Sequence, residues 1–307
     1  RIPFGLAMIG KAFRNEISPR QGFFRMREFT QAELQIFFDS ATIHECDDWK
    51  TVEKYKLLLA FAEHGKDRVI KEVTCDEATK KYELPKFYVY HLAKIQQFYL
   101  EKLNIPKNKF RFRELGADER AFYNKLHFDI ELDMDTLGGF KEVAGCHYRT
   151  DHDLAGHQKG SNEKLEVLSN GKKIIPHVLE LSFGVDRNIW ALLDLTYKME
   201  KEREFFSLPN VVAPIAVAVF PLVNKDKLPE KADEVYALLR KHFKTFYDSK
   251  GSIGKMYRRM DEIGTPFMIT IDYDSLKQQD VTVRDRDSMK QVRVKIKDLV
   301  VYLKQHL

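Results

Sequence analysis

The sequence predicts a mixed α/β protein, in which a strand-rich α+β domain is followed by a small α/β domain. A chain of 307 residues suggests two domains. Residues 1–38 form two strand-like stretches joined by a turn, while residues 211–307 alternate between short apolar strands and helices. The change of pattern predicts a first domain over residues 1–205 and a second over residues 211–307.

The first predicted hairpin brings polar side chains onto one face of a sheet. Strands over 6–17 and 23–38 flank a turn at 18–22 that contains Pro19 and Gly22. Because side chains alternate along a strand, one sheet surface is expected to hold both acids and arginines. These residues are Arg14, Glu16, Arg25, Phe29 and Glu33. They could form a site for ATP and an amine, or an ordinary exposed face with charged pairs.

The remaining elements follow from hydrophobic periodicity and from glycine and proline positions. The pattern of residues 43–126 predicts a helical insertion, and that of residues 199–210 predicts a linker. The predicted helices are 51–63, 87–103, 118–123, the segment from Gly184 to residue 195, 230–242, 254–263 and 296–306. The predicted strands are 107–115, 128–132, 140–146, 173–183, 215–220, 243–248, 267–272, 279–285 and 291–296.

Composition excludes some classes of protein. No apolar run is long enough for a transmembrane helix, so no membrane partner is expected. Three scattered cysteines favour reduced thiols and a cytoplasmic location. The net charge of +5 fits an RNA partner and a solvated mixed-charge surface equally well.

Three long segments carry a family resemblance. Residues 13–20 read FRNEISPR and residues 25–33 read RMREFTQAE, which resembles motif 2 of the class II aminoacyl-tRNA synthetases, in the variant of the dimeric glycyl-tRNA synthetases. Residues 176–187 read PHVLELSFGVDR and are similar to motif 3. The segments 251–259, 261–266 and 283–289 resemble that family's anticodon-binding domain.

The resemblance implies an antiparallel-sheet catalytic domain, a mixed α/β anticodon-binding domain and a glycine–tRNA ligase activity. The family's motif 1, with its dimer helix, is expected upstream of Arg1, together with a further glycine-binding acid. The chain is therefore expected to be the C-terminal part of a synthetase, a homodimer when the N-terminal part is present, and poorly active alone. Its expected partners are glycine, ATP and tRNA(Gly).

The resemblance also assigns an ATP site. Arg14 and Arg187 are the expected catalytic residues, since a planar guanidinium can bind two phosphate oxygens as negative charge develops. Glu16 is expected to read the adenine amino group, Phe29 and Arg187 to sandwich the ring, and Arg25 to hold the outer phosphates. The complete expected ATP set is Arg14, Asn15, Glu16, Phe24, Arg25, Met26, Phe29, Glu142, Val143, Gly184 and Arg187.

Glycine is expected to bind among two acids and a serine. Glu180 and Ser182 share a face of one strand, and the resemblance gives Glu33 and Glu180 the substrate ammonium group. Crowding near the α-carbon would exclude larger amino acids. Thr30, Gln31, Glu33, Glu180 and Ser182 make up the expected glycine set. Leu181 stands where the family usually has proline, on the opposite face of the strand.

One metal ion is expected in the catalytic domain. The resemblance implies Mg²⁺ with ATP, and Glu142 is the candidate ligand. The cluster Cys146, His147, His152 and His157 has spacings unlike those of a zinc finger, so no zinc is expected. Residues 149–153 match a loop that lines the active site in the family.

The second domain carries candidate RNA contacts. Lys255, Arg258, Arg259, Arg284 and Arg286 could bind RNA phosphates, although acids interleave with them. Two other functions stay open: a non-catalytic synthetase-like accessory subunit that binds nucleic acid, and a generic nucleotide-binding regulator. Loss of the ATP residues would indicate the accessory subunit, and these residues are present.

Overall fold

The computed structural model describes residues 1–64, 68–200 and 203–307, and the chain divides into two compact units. Unit one covers Arg1–Asp194 and unit two covers Leu195–Leu307. No helix in the described part of the chain has the length and apolar character needed to cross a membrane.

An eight-stranded sheet, antiparallel except for one pair, forms the frame of unit one. In chain order the strands of this unit are β1 (Phe4–Phe13), β2 (Glu28–Phe38), β3 (Lys56–Ala60), β4 (Lys71–Thr74), β5 (Phe110–Glu114), β6 (Leu126–Met134), β7 (Gly139–Thr150), β8 (Val167–Ser169), β9 (Lys172–Ile174) and β10 (His177–Gly184). The sheet order is β1-β2-β10-β7-β6-β5-β3-β4, with β8 and β9 forming a separate hairpin. Its centre therefore joins strands that are distant in sequence.

Four α-helices accompany this sheet within the described residues. They are α1 (Cys75–Lys80), α2 (Lys86–Gln97), α3 (His152–Ser161) and α4 (Val185–Thr196). Thr74 caps α1 in a reciprocal capping box with Glu77. Gln96 of α2 is buried and fixes β3, because its side chain accepts from Leu58 N at 2.9 Å and donates to Lys56 O at 2.7 Å.

Several predicted elements differ from the observed ones. The predicted helix 51–63 is wrong, because its leucine run forms strand β3. Leu57, Leu58 and Leu59 are buried on both faces of the sheet, and an apolar run of this kind has the same appearance in a strand as in a buried helix. Residues 118–123 form turns rather than a helix. Residues 43–126, predicted as a helical insertion, also contribute β3, β4 and β5 to the main sheet.

Unit two contains a hairpin and a five-stranded mixed sheet. The hairpin strands β11 (Tyr197–Met199) and β12 (Glu204–Phe206) lie where a linker is predicted. The sheet strands are β13 (Val217–Pro221), β14 (Thr245–Tyr247), β15 (Phe267–Ile271), β16 (Asp280–Asp285) and β17 (Gln291–Lys295), in the order β14-β13-β15-β16-β17. The helices are α5 (Leu228–Leu239), α6 (Ile253–Glu262), α7 (Tyr273–Gln278) and α8 (Leu299–His306).

The central strand β13 is buried on both faces. Val217 and Val219 pack in a core that includes residues of α5 and α8, whereas Ala218 and Phe220 pack with Met256 of α6. Its parallel pairing with β14 and β15 fits this burial, because parallel strands read as continuous apolar runs. Unit two is therefore a three-layer α/β structure.

Candidate active site

Strand register in unit one brings polar residues into rows across the main sheet. Residues paired between antiparallel strands lie side by side on the same face. One row runs through Glu33 of β2, Ser182 of β10, Gly145 of β7 and Asp129 of β6. The next row holds, on the same four strands, Gln35, Glu180, His147 and His127. A polar surface thus spans the centre of the sheet.

A cavity of about 430 Å³ opens over this surface. It is lined by all but one of the residues predicted to bind ATP or glycine; Asn15 alone lies outside the lining. The predicted residues in the lining are Arg14, Glu16, Phe24, Arg25, Met26, Phe29, Thr30, Gln31, Glu33, Glu142, Val143, Glu180, Ser182, Gly184 and Arg187.

Two arginines reach the cavity from a loop rather than from strands. Strand β1 ends at Phe13 and β2 begins at Glu28, so the prediction that Arg14, Glu16 and Arg25 lie on the strands themselves is wrong. The loop closes through Arg14 N, which donates to Arg27 O at 2.9 Å. A short 3-10 helix at Gly22–Phe24 occupies part of this loop, which extends beyond the predicted turn at 18–22.

The loop arginines differ in their partners. Arg25 Nε donates to Glu16 Oε2 at 2.9 Å. The Arg14 guanidinium lies 5.5 Å from the centre of the Phe29 ring and is exposed. Within the described residues it forms no ion pair, so its donors are available to an anion in the cavity.

Arg187 enters the cavity from the first turn of α4. Strand β10 ends at Gly184, where a β-carbon would lie only 3.2 Å from Arg187 Cδ, so the glycine leaves room for this side chain. Arg187 donates to Phe24 O at 3.0 Å and to Glu142 O at 3.2 Å, and its guanidinium lies 5.6 Å from the Phe24 ring centre. These contacts aim the guanidinium across the cavity.

The opposite part of the lining is acidic. Glu180 is only 7% exposed, and Arg149 Nη1 donates to its Oε2 at 2.8 Å. Burial raises the pKa of Glu180 above its usual value, the charge of Arg149 opposes this shift, and nearby Glu33 adds to it. Gln31 Nε2 donates to Ser182 Oγ on the adjacent strand. The cavity therefore offers guanidinium groups and a buried carboxylate to one bound molecule.

Arg149, which belongs to the segment 149–153 that was expected to line the site, is in the cavity lining. Other lining residues escaped the sequence-based prediction, and they include Phe23, Gln35, Tyr123, Asn124, His127, His147 and Asp186. Alternation along β7 places Gly145, His147 and Arg149 on one face, and this signal was available in the sequence. The contributions of Asn124 and His127 depend on the pairing of β6 with β7, which the sequence does not reveal.

Magnesium can be tested against the donor set. In residues 1–64, 68–200 and 203–307, no three His, Cys, Asp or Glu side chains are grouped so as to hold a metal ion. Glu142 is half-exposed and pairs with Arg187, at 3.2 Å between Oε1 and Nη1. Mg²⁺ commonly takes one or two carboxylates together with substrate phosphates and water, so Glu142 fits as a single protein ligand.

The basic residues predicted to bind RNA fall into two groups in unit two. Lys255 and Arg258 are exposed on α6, and Arg259 is half-buried, where it pairs with Asp248 and donates to Lys250 O at 2.8 Å.

Arg284 and Arg286, which were predicted to contact RNA, lie inside the unit and not on its surface. Arg284 donates to both carboxylate oxygens of Asp261, at 2.8 and 2.9 Å. Arg286 donates to Gly264 O at 2.7 Å and to the Asp287 carboxylate. Both are at most 5% exposed, because neighbouring acids and carbonyls use their donors within the fold. Arg203, also buried, completes the cluster with a 3.3 Å contact to Asp261.

Comparisons with known proteins agree with this geometry. The family description "tRNA synthetase class II core domain (G, H, P, S and T)" matches residues 1–196, and "Anticodon binding domain" matches residues 216–306. Glycine–tRNA ligase of Pyrococcus furiosus is 36% identical over 387 residues, covering 99% of this chain and 67% of that protein. The glycine–tRNA ligase of Methanococcus maripaludis is 32% identical, and the match covers 100% of this chain and 69% of that protein. That of Borrelia hermsii is 37% identical, and the match covers 100% of this chain and 61% of that protein.

The alignments also differ in length. Those with Pyrococcus furiosus and Methanococcus maripaludis run over 387 and 396 residues, longer than this chain, whereas that with Borrelia hermsii runs over 316. The two archaeal relatives therefore carry segments within the matched region that this chain lacks. The chain spans about two thirds of the length of these relatives.

Proposed function

The chain belongs to the class II aminoacyl-tRNA synthetases, and we propose that it activates glycine with ATP and transfers it to tRNA(Gly). In the first step a glycine carboxylate oxygen attacks the α-phosphorus of ATP, and the bond to diphosphate breaks. In the second, a hydroxyl of the terminal tRNA ribose attacks the glycyl carbonyl and AMP leaves. The cavity carries this proposal, because it combines arginines for phosphate with a buried acid for an amine.

Arg14 is the proposed ligand of the reacting phosphate. Its guanidinium faces the cavity without an acid partner in the described residues, and it lies beside Phe29, on which adenine can stack. Charge-assisted contacts of this kind strengthen as charge develops on the phosphate oxygens. Arg187 is assigned to the other side of the adenine ring and Glu16 to its amino group. Arg25, held by Glu16, is assigned to the outer phosphates.

The glycine end uses Glu33, Glu180 and Ser182. Glu33 and Ser182 are paired in one row of the sheet, and Glu180 lies in the next row. An ammonium group between the two carboxylates would offset the cost of burying Glu180 ionised. Gln31 holds Ser182 and Thr30 holds Asp186 at the start of α4, which keeps the pocket wall in place. Positioning and charge stabilisation then supply the rate.

Magnesium bound with ATP would be held by Glu142 and the nucleotide phosphates. When bound, it neutralises phosphate charge. Glu142 would exchange its contact with Arg187 for the metal, which frees this arginine for the nucleotide.

Unit two is proposed to bind the anticodon stem and loop. Residues 1–205 would then hold the catalytic domain and residues 211–307 the anticodon-binding domain. Lys255, Arg258 and Arg259 on α6 are the proposed phosphate contacts, since Lys255 and Arg258 are exposed cations and Arg259 lies beside them. Arg284 and Arg286 are assigned to the interior of the unit instead.

A homodimer and a cytoplasmic location complete the proposal. Strand β1 lies at the edge of the main sheet, and its apolar residues Phe4, Met8, Ile9 and Phe13 are each at least half exposed. Exposed apolar edge strands invite pairing with another chain. The three cysteines are unpaired, as expected in a reducing compartment.

Glycine-dependent exchange of labelled diphosphate into ATP tests the first step. Exchange is expected with glycine and not with alanine or serine. Glu180→Gln should abolish it, because a neutral amide does not balance the substrate ammonium. Charging of tRNA(Gly) tests the second step. A folded protein that exchanges equally with all three amino acids would contradict the proposal.

A further inference from the structure

The floor of the acidic end of the cavity is formed by an imidazole that leans over a glycine. His147 and Gly145 share a face of β7, and two such residues normally stand side by side. Here His147 Nε2 overlaps the position that a β-carbon on Gly145 would take. The ring therefore covers both positions, and any side chain at residue 145 would displace it.

The same ring lies next to the proposed ammonium site. His147 Nε2 is 4.0 Å from Glu180 Oε1, and Gly145 pairs with Ser182 on the adjacent strand. In an amino acid the α-carbon is only about 1.5 Å from the ammonium nitrogen. An amino acid bound to Glu180 and Ser182 would hold its α-carbon against the imidazole.

Three observations indicate that the ring is fixed. The His127 ring centre is 4.0 Å from that of His147, on the paired position of β6. Asn124 Nδ2 lies 3.4 Å from His147 Nδ1, while it is Nε2 of the ring that is nearest Glu180. The side chain of His147 is 18% exposed. A ring held in this way yields little when a larger substrate presses on it.

The ring is also uncharged. Burial, with added contributions from His127 and Arg149, lowers the pKa of His147 to about 3. A neutral ring does not compete with the substrate ammonium for Glu180, as a lysine or arginine at this position would.

We propose that His147 is a specificity-determining residue, whose imidazole occupies the space that the side chain of any amino acid larger than glycine would need. This inference rests on the proposed function and deepens it. The energy of steric overlap rises steeply with substrate size. Enzymes distinguish two substrates that differ by one carbon group by about 10–200-fold in kcat/KM. Gly145 takes part because its missing side chain allows the ring to lie over the strand.

The test compares the affinities of this chain for glycyl- and alanyl-sulfamoyl adenosine by calorimetry, with diphosphate exchange on glycine and alanine as a second readout. The wild-type chain should prefer the glycyl compound. In His147→Ala the preference should fall by at least tenfold, mainly through tighter binding of the alanyl compound. His147→Phe keeps a ring in place and should keep the preference.

The outcomes separate the two proposals. An unchanged preference in His147→Ala, or its loss in His147→Phe, would overturn the role of His147. A folded wild-type chain that binds the alanyl compound as tightly as the glycyl compound would overturn the proposed function instead. His177→Ala, which removes another partly buried imidazole from the same sheet outside the cavity, should leave the preference unchanged. If His147→Ala melts below the assay temperature, the shorter His147→Asn should give the same decrease.

Discussion

Arginine is used differently in the two units of this chain. In unit one, Arg14 faces a cavity with its guanidinium unpaired in the described structure, and Arg187 binds main-chain carbonyls beside it. In unit two, Arg203 and Arg284 converge on the buried carboxylate of Asp261. The first arrangement leaves donors available to a ligand, whereas the second uses them within the fold.

The difference shows that residue type and sequence motif do not determine the role of an arginine. Arg14, Arg187 and Arg284 all lie in segments that resemble the same family, and all three were predicted to bind an anion. Buried donors must be paired within the fold, so an arginine as buried as Arg284 is not available to a ligand, whereas one that lines a cavity can still bind. The partners of the guanidinium therefore decide between binding and stability.

Removing a buried arginine should have the largest effect. Arg284→Ala would leave Asp261 buried with Arg203 as its remaining cation, and we expect the free energy of unfolding of unit two to fall by about 3–5 kcal/mol. Urea denaturation followed by circular dichroism measures this change. Arg293→Ala is the matched control on β17: its ion pairs with Asp272 and Asp280 are more exposed, and the expected cost is below about 1 kcal/mol. If the two variants lost the same free energy of unfolding, the proposed difference between buried and exposed arginines would be wrong.

Removing the cavity arginine should affect activity rather than stability. Arg14→Ala is expected to slow glycine-dependent diphosphate exchange by about 10²–10³-fold, because a contact that strengthens in the transition state is lost. The melting temperature should stay the same, since the described structure gives this guanidinium no ion pair. Arg20→Ala, an exposed arginine of the same loop, should retain activity. A rate of exchange close to the wild-type rate in Arg14→Ala would contradict the assignment of Arg14 as the phosphate ligand.

Exposed cations of unit two should matter for tRNA alone. The double variant Lys255→Glu and Arg258→Glu is expected to raise KM for tRNA about tenfold and to weaken the salt dependence of tRNA binding. Glycine-dependent exchange should not change, because α6 belongs to the other unit. A fall in exchange equal to the fall in charging, in a folded variant, would contradict the proposed division between the domains.

The smallest expected effect concerns pH. Burial raises the pKa of Glu180, and the ionised form is the one proposed to bind the glycine ammonium. Activity should therefore be lost as pH falls through this raised pKa, at a higher pH than for an ordinary glutamate. The acid limb of kcat/KM for glycine reports it. An acid limb at or below the ordinary glutamate value of 4.5 would argue against Glu180 as the ammonium ligand.

Local sequence patterns predicted part of the candidate site. Alternation along β2 placed Phe29 and Glu33 on one face, and the structure finds both in the cavity lining. Residues on β7 and β6 were harder to place, because both pairings of β7 shift register, at Val178/Leu179 and at Ile130/Glu131. Such irregularities change which residues are neighbours, and they depend on the whole sheet.

Burial was harder still to predict. Arg284 and Arg286 lie in a segment rich in charge, RDRD over residues 284–287, which is typical of an exposed surface. The structure buries both because Asp261, more than twenty residues earlier in the chain, supplies the counter-charge to Arg284. A distant partner of this kind leaves no mark in the local pattern.

The pairing of Glu33 with Ser182 has a consequence for synthesis on the ribosome. These residues are about 150 positions apart, so at roughly 5–20 residues per second β2 waits about 7–30 s for its second neighbour β10. During that interval β1 is the partner available to β2, and the other edge of β2 stays open. The nascent chain must keep this edge from pairing wrongly until β10 has been translated, and no half-made chain can hold the proposed glycine pocket.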